Sequence, residues 1–188
     1  MDRQATWELL TEYTQNESLL KHALAVEAGM RAYAAKLGGD VEEWGAVGLI
    51  HDFDYERYPS AEAGHAIKGA EILREKGYPP HLVRAVQSHA DYSGVKRETP
   101  MEKALFACDE VCGFIIAAAL VRPTKSVLDL EASSVRKRMK DKAFARQVSR
   151  EDIVKGAEQL GVDLNEHIAF VIQAMRGVAD QLGLRGTL

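Results

Sequence analysis

The chain has 188 residues, with 24 Lys or Arg against 28 Asp or Glu and a formal charge of -4. At 46% apolar and 28% charged residues it can bury a core without disulfide or metal staples, and its balance excludes a disordered chain. The slightly acidic total also speaks against a general nucleic-acid binder, while leaving room for a local basic patch that meets a small phosphorylated molecule.

Asp2, Glu8, Glu12 and Glu17 occupy the opening segment, and no apolar signal core follows a basic start. The longest apolar run, Phe114 to Val121, is too short to span a bilayer. The expectation is a cytoplasmic protein with no membrane partner and no dedicated nucleic-acid partner; the sequence does not fix its oligomeric state. Cys108 and Cys112, four residues apart, read as small core residues and not as a disulfide framework or a zinc site.

Nearly every segment has helical periodicity. A break at Thr14 to Asn16 precedes a helix capped by Asn16 and ended by Gly38-Gly39; His22, Val26, Met30, Tyr33 and Leu37 share one face of it. Asp40 caps a short helix reaching Ile50 or His51, in which Gly45 and Gly48 permit a close neighbour or simply weaken the helix. Residues 52–60 form a loop. A helix is predicted from Ser60 or Ala61 to about Lys76, with His65, Lys68, Gly69 and Ile72 in one stripe, and Pro79-Pro80 forbid its continuation. Another helix runs from His81 to Ser88 or His89.

Pro100 then opens the most apolar helix, Met101 to Val121, where Asp109 interrupts the stripe Leu105, Cys112, Ile116. After Arg122-Pro123, the charged stretch 133–147 carries Arg136, Lys137, Arg138, Lys140 and Lys142. Ser149 starts a helix stopped by Gly161, and a last helix is predicted from Leu164 to Leu182. No repeat or linker divides the chain. The fold class is therefore all-α: a compact helical bundle, with residues 1–188 as a single domain.

Several polar groups land on buried stripes or helix ends: His22, His51-Asp52, His65, His89 and Asp109. A buried carboxylate is costly unless it is paired or coordinates a metal. Each residue alone has a plainer reading. His22 can be a satisfied core histidine, His65 a cap, His89 a helix-terminal histidine, and Asp109 the partner of a lysine or of a backbone donor. A divalent metal gives one reason for all of them. His81 and His167 are left outside the set, as solvent-facing or structural residues.

The ordered set His, His-Asp, His, His, Asp resembles the HD superfamily of metal-dependent phosphohydrolases. The stretches GLIHDFDYERYP at 48–59, GHAIKGAEIL at 64–73 and SHADYSG at 88–94 are similar to its doublet region and to the histidine segments of its two-metal members. The stretch ACDEVCGFIIAAALVRPTKSVLD at 107–129 resembles a small subgroup of predicted HD hydrolases. The resemblance implies an HD-type helical domain with one or two divalent ions (Mn, Fe, Co, Ni, Zn or Mg). His22, His51, Asp52 and Asp109 would hold the first, and Asp52 would bridge to a second held by His65 and His89.

The chain departs from the common pattern at Phe53-Asp54, where many members have Ile-Gly followed by lysine, and at Ala90, where some have a second histidine. The Gly-Tyr-Pro element of the cyclic-diguanylate phosphodiesterases is not at its matching place; Gly77-Tyr78-Pro79 lies before His89.

Asp52, Asp54 and Lys68 are the candidate catalytic residues. Asp54 would orient or deprotonate the attacking water, or else only stabilise the doublet. Lys68 would contact phosphate, or else form a surface ion pair. Among Lys125, Arg136, Lys137, Lys140 and Lys142, one or two would reach a phosphate, or all are plain helix surface. The expected activity is hydrolysis of a nucleotide or other small phosphate ester by metal-activated water. Two alternatives use the same residues: an HD-type di-iron oxygenase, and a non-catalytic binding module with a structural metal.

Overall fold

The computed structural model describes residues 2–187; Met1 and Leu188, the ends of the expected 1–188 domain, lie outside the described residues. Among the described residues the regular structure is helical throughout, with no strand. The helices are α1 (Arg3–Tyr13), α2 (Glu17–Leu37), α3 (Val41–Ile50), α4 (Ile67–Glu75), α5 (Pro80–Ser88), α6 (Pro100–Leu120), α7 (Ala132–Met139), α8 (Arg150–Leu160), α9 (Leu164–Arg176) and α10 (Ala179–Leu182). The all-α expectation is met.

The two 21-residue helices α2 and α6 form the centre. Asn16 caps α2 by accepting the Ser18 and Leu19 N–H groups, and Gly38 ends it in the left-handed conformation. Thr99 and Glu102 close a reciprocal capping box at the start of α6, with Pro100 in the first turn. Leu105, Cys108, Val111, Cys112, Phe114 and Ile115 of α6 are fully buried, so both cysteines are core residues, as their spacing suggested. On α2 the stripe Val26, Met30 and Tyr33 is buried, but its continuation Leu37 is 47% exposed because the helix ends beyond the core.

α3 lies closely along α2, and Gly48 makes this possible. A Cβ there would stand 2.9 Å from Met30 Cγ and 3.0 Å from the Val26 carbonyl oxygen. α8 approaches α6 in the same way, with Gly156 against Ala107: a Cβ on Gly156 would lie 2.7 Å from Ala107 Cα, a backbone atom that cannot swing aside. Gly156→Ala should therefore destabilise the protein by about 1–3 kcal/mol, despite the roughly 1 kcal/mol that alanine gains in a helix. Urea denaturation measures this, and unchanged or raised stability would show that α8 is not pressed onto α6.

Two boundaries differ from the sequence reading. α4 begins at Ile67, not at Ser60 or Ala61. Gly64 at φ +105° and Ala66 at φ +61° break the helical path, so His65 precedes the helix and does not share its stripe. The last helix also breaks: the N–H groups of Gly177 and Val178 turn back to carbonyls three residues earlier, and α10 leaves separately to pack on α2. No helix of the described residues is long and apolar enough to cross a membrane.

Candidate metal centre

The six candidate ligands come from separate elements that converge. His22 sits on the inner face of α2, and Asp109 on the facing side of α6. His51 ends α3 and His89 ends α5, and both use the same device. Each ring turns its Nδ1 back to the carbonyl three residues earlier, Gly48 for His51 (2.8 Å) and Val86 for His89. That contact satisfies a helix-terminal carbonyl, fixes the proton on Nδ1 and aims the Nε2 lone pair inward. Asp52 follows His51 in the turn.

This turn is tied to the start of α2. Glu56 accepts the N–H groups of Gln15 and Asn16 (2.8 and 2.9 Å), and the Thr14 hydroxyl donates to the Phe53 carbonyl (3.0 Å). The ties hold His22 and the His51-Asp52 doublet in register.

Two groups of ligand atoms result. In the first, His22 Nε2 lies 3.0 Å from Asp109 Oδ1, 3.3 Å from His51 Nε2 and 3.9 Å from Asp52 Oδ2. His51 Nε2 lies 3.5 Å from Asp52 Oδ2 and 3.4 Å from Asp109 Oδ1. In the second, Asp52 Oδ1 is 3.2 Å from His65 Nε2 and 3.1 Å from His89 Nε2, and the two rings are 3.2 Å apart at Nε2. The two oxygens of Asp52 are thus divided between the groups.

Donors about 2.1 Å from a shared ion stand about 3.0 Å apart when adjacent in an octahedron and about 3.4 Å apart in a tetrahedron, which matches this spacing. The chemistry fits as well. His65 and His89 commit Nδ1 to other acceptors, so their Nε2 atoms face each other, an arrangement that a shared proton or a metal ion between them makes favourable. Imidazole with carboxylate suits a borderline or hard divalent ion.

The protein's own charges show the same demand. Burial works against a charged His51, yet the carboxylates of Asp52 and Asp109 raise its pKa well above the ordinary histidine value. Burial also opposes ionisation of Asp52 and Asp109, but the histidines outweigh it and hold both carboxyls well below the usual range. For His65, burial is overcome by hydrogen bonds to Asp52 and Asp54, and its pKa rises to about 9.

Of the two readings of Asp54, the geometry favours the stabilising one over the catalytic base. Its carboxylate is fully buried and saturated: Oδ1 takes the His65 Nδ1 proton at 2.9 Å, and Oδ2 accepts the Ala66 and Gly69 N–H groups at 3.0 and 2.9 Å. It has no free oxygen for a water and does not line the cavity. It is a positioning residue that aims His65 and holds the strained backbone at Ala66. Asp54→Ala should cost about 3 kcal/mol or more by leaving three buried donors unpaired. The milder Asp54→Asn should weaken the second metal about 10–100-fold while sparing the first. Metal titration of the folded variants checks this, and an unchanged second affinity would contradict it.

Lys68 takes the plainer of its two readings: it does not line the cavity, is half exposed and pairs with Glu71 at 2.8 Å, one turn along α4. The basic stretch is likewise elsewhere: Arg136, Lys137 and Lys140 line a separate hollow with Asn165. His81 is exposed and paired with Glu43, whereas His167 is buried between the Tyr33 hydroxyl (2.6 Å) and the Ala107 carbonyl (2.8 Å).

The ligand groups form the floor of a cavity of about 550 Å³, within the usual range for a small-molecule site. Its walls include residues that the sequence reading did not single out: Tyr55, Asp91, Tyr92, Glu110 and Asp152. Burial and the neighbouring Asp109 push Glu110 up to about 7, against the Ser149 N–H that it accepts at 3.0 Å. Sequence signals existed for three of them. Tyr55 and Tyr92 each stand three residues after a proposed ligand, and Glu110 is adjacent to Asp109.

The pattern of the HD domain family matches residues 19–180, from before His22 to beyond Asp109. The chain belongs to the HD domain family. HD domains form a superfamily of metal-dependent phosphohydrolases. The chain is also similar to Ribonuclease Y of Lawsonia intracellularis, 31% identical over 157 residues that cover 81% of this chain and 30% of the relative. For Ribonuclease Y of Nitratidesulfovibrio vulgaris the figures are 29% over 144 residues, 75% of this chain and 27% of the relative. For that of Geobacter sulfurreducens they are 34% over 79 residues, 42% and 15%. This HD domain thus spans less than a third of the length of these relatives.

Proposed function

We propose that this HD domain is a two-metal phosphohydrolase acting on a nucleotide or another small phosphate ester. The observation that carries the reading is the division of Asp52: one oxygen belongs to the His22, His51, Asp109 group and the other to the His65, His89 group, on the floor of an open cavity. A closed structural metal site would have no reason for such a cavity. The reading also takes residues 1–188 as one domain working in the cytoplasm.

His22, His51, Asp52 and Asp109 would hold one divalent ion, and Asp52, His65 and His89 a second. Ions there would supply Lewis acidity, making water a stronger nucleophile at neutral pH and neutralising charge on the phosphoryl oxygens. The chain itself fixes the donors in advance. Gly48, Val86 and Asp54 each hold an Nδ1 proton, so each Nε2 stays available without reorganisation. The α2, α6 and α8 walls confine a substrate against the ligand floor. No lysine or arginine of the cavity wall assists, which assigns phosphate neutralisation to the metals.

The di-iron oxygenase shares this ligand set, and the two are separated by product. Protein loaded with manganese, cobalt or zinc should release p-nitrophenol from p-nitrophenyl phosphate or its bis-ester in a chelator-sensitive way, without oxygen consumption. Oxygen uptake by the iron-loaded protein, with no ester cleavage by any metal form, would overturn the hydrolase reading.

A further inference from the structure

We infer that the cavity selects by charge: it takes a substrate with a single phosphate whose other portion is neutral or cationic, and rejects polyphosphates and polynucleotides. The inference rests on the hydrolase reading for the place of the phosphate, over the ligand floor.

Five carboxylates line the cavity: Asp52, Asp91, Asp109, Glu110 and Asp152. Asp91 is already offset by Arg97 and Lys155, and the four positive charges of two divalent ions would be matched by the remaining four carboxylates, Asp52, Asp109, Glu110 and Asp152, so the loaded floor and its α6–α8 wall hold no positive surplus for a second anionic group. The basic residues nearby have partners of their own. Arg97 is nearly buried over the Phe106 ring and donates to the Ser88 carbonyl, to Gln159 and to Asp91. Lys155 pairs with the same Asp91.

Arg150 is the most telling case. It follows the wall residues Gln147 and Val148, yet its guanidinium donates to the carbonyls of Asp141, Phe144, Ala145 and Val148. It holds the 141–148 loop together and offers no fork to a phosphate. Lys68 is bound to Glu71. Glu110 and Asp152 have no cationic side-chain partner among the described residues. They stand on the wall formed by α6 and α8, adjoining the Asp109 side of the floor.

A second phosphate, or the flanking phosphates of an RNA strand, would therefore meet carboxylates with no compensating cation. Such an encounter is costly in a partly desolvated cavity. A hydroxyl-bearing or ammonium-bearing group would instead find acceptors. Tyr55 and Tyr92, whose rings pack against His65, add apolar faces at the other end of the cavity.

The test uses non-hydrolysable phosphonates that differ only in distal charge, titrated calorimetrically into the full, manganese-loaded chain at pH 8. The probes are 3-aminopropylphosphonate, butylphosphonate and 3-phosphonopropionate. Binding should weaken in that order, by about tenfold or more between the extremes. Glu110→Gln and Asp152→Asn together should flatten the order, chiefly by a gain of binding for 3-phosphonopropionate, a gain that misfolding cannot produce. Asp152→Asn alone should give part of that gain. Equal or reversed affinities in the parent, an order unchanged in the variants, or no binding of any probe would overturn the inference. Turnover is not needed for this measurement. The expected order together with no ester hydrolysis would sink the hydrolase reading and leave the charge selection standing.

Discussion

Asp52→Ala should release both metal ions and lower metal-dependent hydrolysis by about a thousandfold or more, about 4 kcal/mol of transition-state stabilisation. The expectation follows from the split carboxylate, since Asp52 supplies a donor to each ligand group. Asp109 touches only the first group, so Asp109→Ala should lose the first ion and keep part of the second. Elemental analysis of purified, folded variants separates the two cases. His81→Ala serves as the control, because that ring is exposed, pairs with Glu43 and should leave metal content unchanged. Full metal content in the Asp52 variant would mean that this carboxylate is not a ligand. Asp52→Asn asks the same question with the shape retained, since an amide keeps the volume but not the charge that offsets His51, His65 and His89.

The second large effect belongs to His65 and His89. Each should drop the protein from about two ions per chain to about one when replaced by alanine, with the first ion still bound. Hydrolysis should fall by about a hundredfold or more, because a two-ion clamp acts on both the attacking and the leaving oxygen. His65→Ala should also cost stability in the metal-free protein, because it leaves the buried Asp54 carboxylate without the Nδ1 proton that it accepts and takes an ion-pair partner from Asp52. Titration of metal-free protein should show one tight and one looser event in the parent, and only the tight one in either variant. A single one-equivalent event in the parent, with both variants fully active, would establish a mononuclear enzyme.

The residues that converge as candidate ligands were legible in the sequence because most of them place a polar group where helical periodicity or a helix end demands burial. His22 and Asp109 interrupt apolar stripes, and His51 and His89 terminate helices. The orientation of a loop carboxylate is not written in that pattern. Asp54 follows the doublet at a spacing that suits a catalytic base, but its direction is set by the N–H groups of Ala66 and Gly69, which only tertiary structure brings to it. Lys68 was placed one turn from His65 on the assumption that both belong to one helix. The left-handed backbone at Ala66 separates them, and alanine gives no local warning of that conformation.

The break at Gly177 was missed for a similar reason. Met175, Val178 and Leu182 keep helical spacing through it, so periodicity alone continues the helix. The cavity wall was the least legible part. Glu110 and Asp152 look like ordinary helix-surface acids until the packing of α8 on α6 turns them toward one space. The use of Arg150 on four backbone carbonyls has no sequence signature.

The division of Asp52 between two ions is tested most directly by anomalous diffraction from crystals of the manganese-loaded protein. The expected result is two anomalous peaks about 3.5–4 Å apart, one among His22, His51 and Asp109 and one beside His65 and His89, with one oxygen of Asp52 on each. A single peak, or a pair that leaves Asp52 unliganded, would contradict it.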